Sequence, residues 1–75
     1  MINKSIADLN YESKMAHDIR FDASDAQPNY IGLNFDTIGN DDALNWVIYK
    51  FTYSGTDATR IQKANGSWTN RASLF

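Results

Sequence analysis

The sequence predicts a small all-β domain over residues 17–75, an antiparallel sheet or barrel-like unit of four to five strands, preceded by an N-terminal arm over residues 1–16. Three observations predict it. Residues 46–53 read WVIYKFTY, with Val47, Tyr49, Phe51 and Tyr53 at every second position, the period of a strand. Turn-forming residues recur at short intervals from Asp25 onward, as they do between short strands. The first sixteen residues, by contrast, scatter Ile2, Ile6, Leu9, Tyr11 and Met15 among polar neighbours, an apolar stripe too thin to hold a helix on a core.

Within the arm, Ser5 followed three residues later by Asp8 is a helix-start signal. A short helical turn from Ile6 to Lys14 is therefore expected. Two readings of the arm stand: a frayed tail, or an arm that leaves the domain and orders on a neighbouring chain, burying Ile6, Leu9 and Tyr11; the second is the expectation. From His17 the texture changes. Asp18-Ile19-Arg20-Phe21-Asp22 alternates polar and apolar, which predicts a half-buried strand. Asp25, Gln27 and Pro28 predict a turn. Tyr30–Phe35 reads as a second strand, with Gly32 as a bulge. Residues 36–45, DTIGNDDALN, read as a loop or a single helical turn, for which Asn40-Asp41-Asp42 supplies a cap.

The aromatic run then reads as a central strand. One side, Val47, Tyr49, Phe51 and Tyr53, is apolar along its length. The other, Trp46, Ile48, Lys50 and Thr52, is apolar only at its start. Trp46 and Phe51 are thus expected in the core, one on each face. Ser54-Gly55-Thr56-Asp57 predicts a four-residue hairpin loop. Thr59–Ala64 returns as the partner strand with Ile61 inward, and Asn65-Gly66 predicts a further turn.

With 75 residues there is room for one domain. There is no cysteine, and His17 is the sole histidine, so neither disulfides nor a structural zinc is expected to brace so small a core. Packing and partners must do so. Seven basic residues spread thinly against nine acidic ones give a net charge of −2. That composition argues against nucleic acid as a partner. No apolar run approaches the ~20 residues of a membrane span, and residues 1–14 lack the apolar segment of a secretory leader. Synthesis in a cytosol and no membrane partner are the expectations.

The chemistry of the residues points away from catalysis. His17 has no strained nucleophile turn to serve. Asp22, Asp25, Asp36, Asp41 and Asp42 lie in two segments flanking one strand, but their spacing fits no standard calcium loop, and Asp is a good turn former. No catalytic residue, metal or cofactor is predicted. Arg71, within WTNRASLF, is expected to be a half-buried fork pairing with an aspartate or with backbone carbonyls.

Arg20-Phe21-Asp22, Tyr30-Ile31-Gly32, Trp46-Val47-Ile48-Tyr49-Lys50-Phe51-Thr52-Tyr53, Thr59-Arg60-Ile61, Ala64-Asn65-Gly66 and Trp68 through Arg71-Ala72-Ser73 occur in that order. This layout resembles a class of small proteins encoded by tailed bacteriophages. The likeness covers residues 20–75. Loop 36–45 departs from the Ala-Pro-Gly type common in that class, and residues 1–16 have no counterpart in it. The resemblance implies a virion setting and a fold framework of Gly32, Trp46, Trp68 and Arg71, to which Phe51 is added from the strand pattern. It implies no defined activity; within that setting the leading expectation is a structural accessory component at a head, neck or tail interface, with other virion proteins and symmetry copies of itself as partners. Two alternatives stand beside it. One is a host-surface glycan-binding module in which Trp68, Tyr30 or Tyr53 stacks on sugar rings; the other is a small intracellular phage modulator.

Overall fold

The computed structural model describes residues 3–24 and 27–75, with residues 3–8 and Ser24 described by their backbone alone. Four strands form one antiparallel sheet in chain order: β1 (Asp18–Ser24), β2 (Gln27–Asn34), β3 (Trp46–Ser54) and β4 (Asp57–Gly66). A helix, α1 (Asn3–Met15), precedes them, and a 3-10 turn, Arg71–Leu74, follows. The all-β expectation holds in its sheet form. The sheet is an open meander with β1 and β4 as its edges, not a closed barrel.

Local chemistry explains most of the differences from the expected boundaries. Ser54 pairs with Asp57, which leaves Gly55-Thr56 as a two-residue turn where four residues were expected. Gly55 has φ +62°, the left-handed geometry that such tight hairpins need and that glycine adopts without strain. Pairing passes from Thr52–Arg60 to Tyr53–Ala58, so Thr59 is the extra residue of a bulge. Asn29 is likewise extra, between Asp22–Tyr30 and Ala23–Pro28. Gln27 and Pro28 belong to β2 and not to the turn, while Asp25 lies outside the described residues. Asn65-Gly66 does not turn the chain, for both residues pair with β3. Gly66 stays in the strand because Leu74 packs on it: a Cβ there would stand 2.8 Å from the Leu74 methyls. Gly32 is not a bulge. It pairs regularly with Arg20 and Ile48, and the absence of a side chain lets the Trp68 ring lie on the backbone, 2.5 Å from where a Cβ would be.

Cross-strand partners share a face, so the register sorts the sheet into two. One face carries Arg20, Gly32, Trp46 and Ile48. Here Trp46, Ile48 and Trp68 form a buried cluster with Tyr30, Leu74 and Phe75 against it. The other carries Leu33, Val47, Tyr49 and Ile61, with Ile31, Phe51, Leu9 and Ala16 packed around them. Trp46 is fully buried. Phe51 is half-buried, on the opposite face from Trp46.

The N-terminal segment differs most from expectation. It is a helix of 13 residues, longer than the Ile6–Lys14 turn, and it lies on the sheet instead of leaving it. Leu9, expected at an interface with another chain, packs half-buried against the chain's own core. The Tyr49 hydroxyl donates to Glu12, and the Lys63 ammonium stands 2.9 Å from the same carboxylate. A thin apolar stripe is thus supplemented by polar contacts, which periodicity does not register. Tyr11 is exposed. The expected interface role of Ile6 lies outside the residues whose side chains are described.

Candidate docking surface

Residues 35–45 connect β2 to β3 and are tied by hydrogen bonds at Asp36, Gly39, Asn40, Asp41, Asp42, Ala43 and Asn45. Asn34, fully buried at the end of β2, begins the fixation. Its side-chain oxygen accepts from the Asp36 amide at 2.8 Å, an Asx turn, and its amide donates to Asn45 at 2.9 Å. Asn45 in turn donates to Asp36 at 3.1 Å. Gly39 lies flat under Trp46: a Cβ would meet the indole at 2.4 Å. The Gly39 amide donates to Asp18 at 2.7 Å, and its carbonyl accepts from Arg20 at 3.2 Å. The Trp46 indole N–H donates to the Asn40 carbonyl at 2.8 Å. The Asn40 side chain accepts from the Asp42 amide at 3.0 Å, the capping expected of it. On the far side, the Thr69 amide donates to the Asp41 carbonyl at 3.0 Å and its hydroxyl to Asp42 at 2.6 Å.

Arg20 ties this loop to β1. It pairs with Asp41 and approaches Asp18 at 3.6 Å, and its guanidinium stands 5.2 Å from the Trp46 ring centre. The Asp41 hydrogen bond raises its pKa above the ordinary guanidinium value, against the opposing effect of burial. It is a permanent cation between two carboxylates.

In this loop Ile38 and Leu44 are 85% and 80% exposed, and Phe35 is exposed to a lesser degree. Asp36, Asp41 and Asp42 of the same loop are exposed as well. Large apolar side chains in water are ordinary singly; three of them within one hydrogen-bonded loop make this segment the candidate for contact with a partner. These three residues were not singled out by sequence. The available signal was isolated large apolar residues in a segment otherwise composed of turn formers.

The framework residues come together beside the loop. The Trp46 and Trp68 ring centres are 5.9 Å apart, over Gly32. Arg71 donates from Nε to Asp22 at 2.9 Å and from a terminal nitrogen to the Trp68 carbonyl at 2.9 Å, with its guanidinium 4.5 Å from the Trp68 ring centre. Arg71 is thus a brace from the chain's end to β1. Phe51 stands apart, on the helix-bearing face.

Trp68 is buried and presents no platform for a sugar ring. Tyr30 and Tyr53 are half-buried, and the Tyr53 hydroxyl donates to the Pro28 carbonyl at 2.7 Å. The aspartates are distributed: Asp22 to Arg71, Asp36 to Asn45, Asp41 to Arg20 and Asp42 to Thr69. Among the described residues, no three carboxylates or imidazoles converge as metal ligands, no cavity for a small molecule opens, and no helix is long and apolar enough to cross a membrane. Compared with family models, curated proteins and solved structures, the chain gives no match.

Proposed function

We propose that this chain is a structural accessory component of a tailed-phage particle, docking on neighbouring virion proteins at a head, neck or tail interface, and that it acts by binding and not by catalysis. The observation that carries the reading is the held loop 35–45, which presents Ile38 and Leu44 to solvent on a fixed frame. A binding surface whose backbone is already ordered loses little conformational entropy on contact. The phage setting rests on the resemblance over residues 20–75, whose motif residues Gly32, Trp46, Trp68 and Arg71 pack into one cluster. Partners are other virion proteins and symmetry copies, since particles reuse one small chain around an axis. A net charge of −2 disfavours nucleic acid and anionic lipid surfaces alike.

A mass-spectrometric inventory of purified particles of the encoding phage tests this. The chain should be present at a fixed ratio to the major structural proteins, in several copies. Its absence from particles, with abundance in infected cells, would replace this reading with the intracellular modulator.

A further inference from the structure

The two edges of the sheet are built differently. Strand β4 is blunted against further pairing: it carries a bulge at Thr59, and Arg60 and Lys63 stand exposed along it. Such devices keep an edge from recruiting another strand. Strand β1, DIRFDAS, has no lysine, no proline and no extra residue of its own. Among the described residues it has β2 on one side and no strand on the other. Its two large apolar side chains are left in water, Phe21 at 66% and Ile19 at 40% exposure. Their cross-strand partners Ile31 and Leu33 extend the same apolar row into the core on the α1-bearing face.

We infer that β1 pairs antiparallel with β1 of a second copy of this chain, about a two-fold axis passing beside Phe21. The charges select that register. With Phe21 opposite Phe21, all seven strand residues find a partner: Arg20 faces Asp22 twice, Ile19 faces Ala23, and Asp18 faces Ser24. Centring on Arg20 puts arginine on arginine and Asp18 on Asp22. Centring on Asp22 puts aspartate on aspartate. Like charges directly opposite are destabilising, and opposite charges favourable. Centring on Ile19 restores an Asp18–Arg20 pair but overlaps only three strand residues and leaves Phe21 beyond the pairing. Arg20 and Asp22 already have partners within the chain, Asp41 and Arg71. The guanidinium has five donors and the carboxylate about four acceptor sites, so the cross-copy pairs extend those networks without breaking them. The result is a continuous eight-stranded sheet with Ile31, Phe21 and their symmetry copies in one apolar row. This inference stands on the edge alone and not on the virion reading: a chain absent from particles could still dimerise, and a monomer could still be a particle component.

One strand edge is a small interface, below the ~1,200 Å² of stable complexes, so the dimer should be concentration-dependent. Sedimentation velocity up to about 0.5 mM, a range that detects millimolar-to-micromolar dissociation constants, should show the 8.5 kDa chain moving toward twice its mass. Phe21→Lys, which sets two cations on the axis, should abolish that shift. The chain has no cysteine, so a single introduced thiol reports the register. Phe21→Cys should cross-link to its own copy under mild oxidation, because directly opposed Cα atoms at ~4.5–5.5 Å suit a disulfide. Ile19→Cys, offset along the strand from its own copy, should not. A monomer throughout, an unchanged dimer in Phe21→Lys, or equal cross-linking by Ile19→Cys would overturn the assignment.

Discussion

The two faces of the sheet are closed by different means. The tryptophan face is sealed by the chain that follows the sheet and by the loop within it: Trp68, Leu74 and Phe75 lie on Trp46 and Ile48, and Gly39 slides under the indole. The other face is closed by α1, which packs chiefly toward β4 and leaves Ile19 and Phe21 of β1 in water. The first closure depends on glycines that let rings touch backbone. The second depends on a few apolar contacts reinforced by Glu12. In a domain this small, stability is expected to concentrate where packing is tightest, and contact with other chains where closure is incomplete.

The largest expected effect comes from emptying the sealed face. Trp46→Ala should cost about 3–5 kcal/mol, the range for removing a buried large aromatic, because the indole is fully buried and its N–H bonds to Asn40. That is a large share of the stability of any small domain. Urea unfolding followed by circular dichroism would read it, and an unchanged midpoint would place the weight of the fold elsewhere. Gly32→Ala should follow at roughly 1–3 kcal/mol, the usual cost of overpacking, since the new methyl lands 2.5 Å from the Trp68 ring. Wild-type stability in that variant would mean that Trp68 can withdraw freely from the sheet.

The helix-bearing face should respond less. Glu12→Ala removes the acceptor of the Tyr49 hydroxyl and the partner of Lys63. A loss of roughly 1–2 kcal/mol is expected, toward the lower part of the range for charged hydrogen bonds, because Lys63 remains a third exposed. Glu12→Gln, which keeps an acceptor, should lose less. If Ala and Gln destabilise equally, the charge and not the hydrogen bond holds α1 in place.

How far these faces can be read from sequence follows their physics. Alternation in WVIYKFTY gives β3 and both its faces, and Arg20-Phe21-Asp22 gives β1. The docking of α1 is not legible, because part of its hold is a carboxylate meeting a tyrosine and a lysine 37 and 51 positions further along. Asn65-Gly66 carries a turn signature, yet tertiary packing of Leu74 keeps it in a strand. Residues 36–45 read correctly as irregular, while Phe35, expected in the strand, falls outside β2; much of the loop's fixation comes from Asp18, Arg20, Trp46 and Thr69, all outside it.

That loop sets the smallest expected effect on stability, and it separates the roles of closed and open surfaces most cleanly. Ile38 and Leu44 are the most exposed large apolar side chains among the described residues, and neither contributes to either core cluster. Replacing both, Ile38→Ser with Leu44→Ser, should shift the unfolding free energy by no more than about 0.5 kcal/mol, the span of ordinary surface substitutions. The loop's hydrogen bonds run through Asn34, Gly39, Asn40 and Thr69, which the change leaves in place. Docking should suffer, because contacts on a preordered surface concentrate in a few large side chains. On the proposed particle role, phage propagated with the double variant should carry less of the chain per particle, while the purified variant melts as the wild type does. A clear drop in melting temperature would mean that the two side chains belong to the core. Normal incorporation with normal melting would move the docking contact off this loop, and the open β1 edge would be the next surface to test.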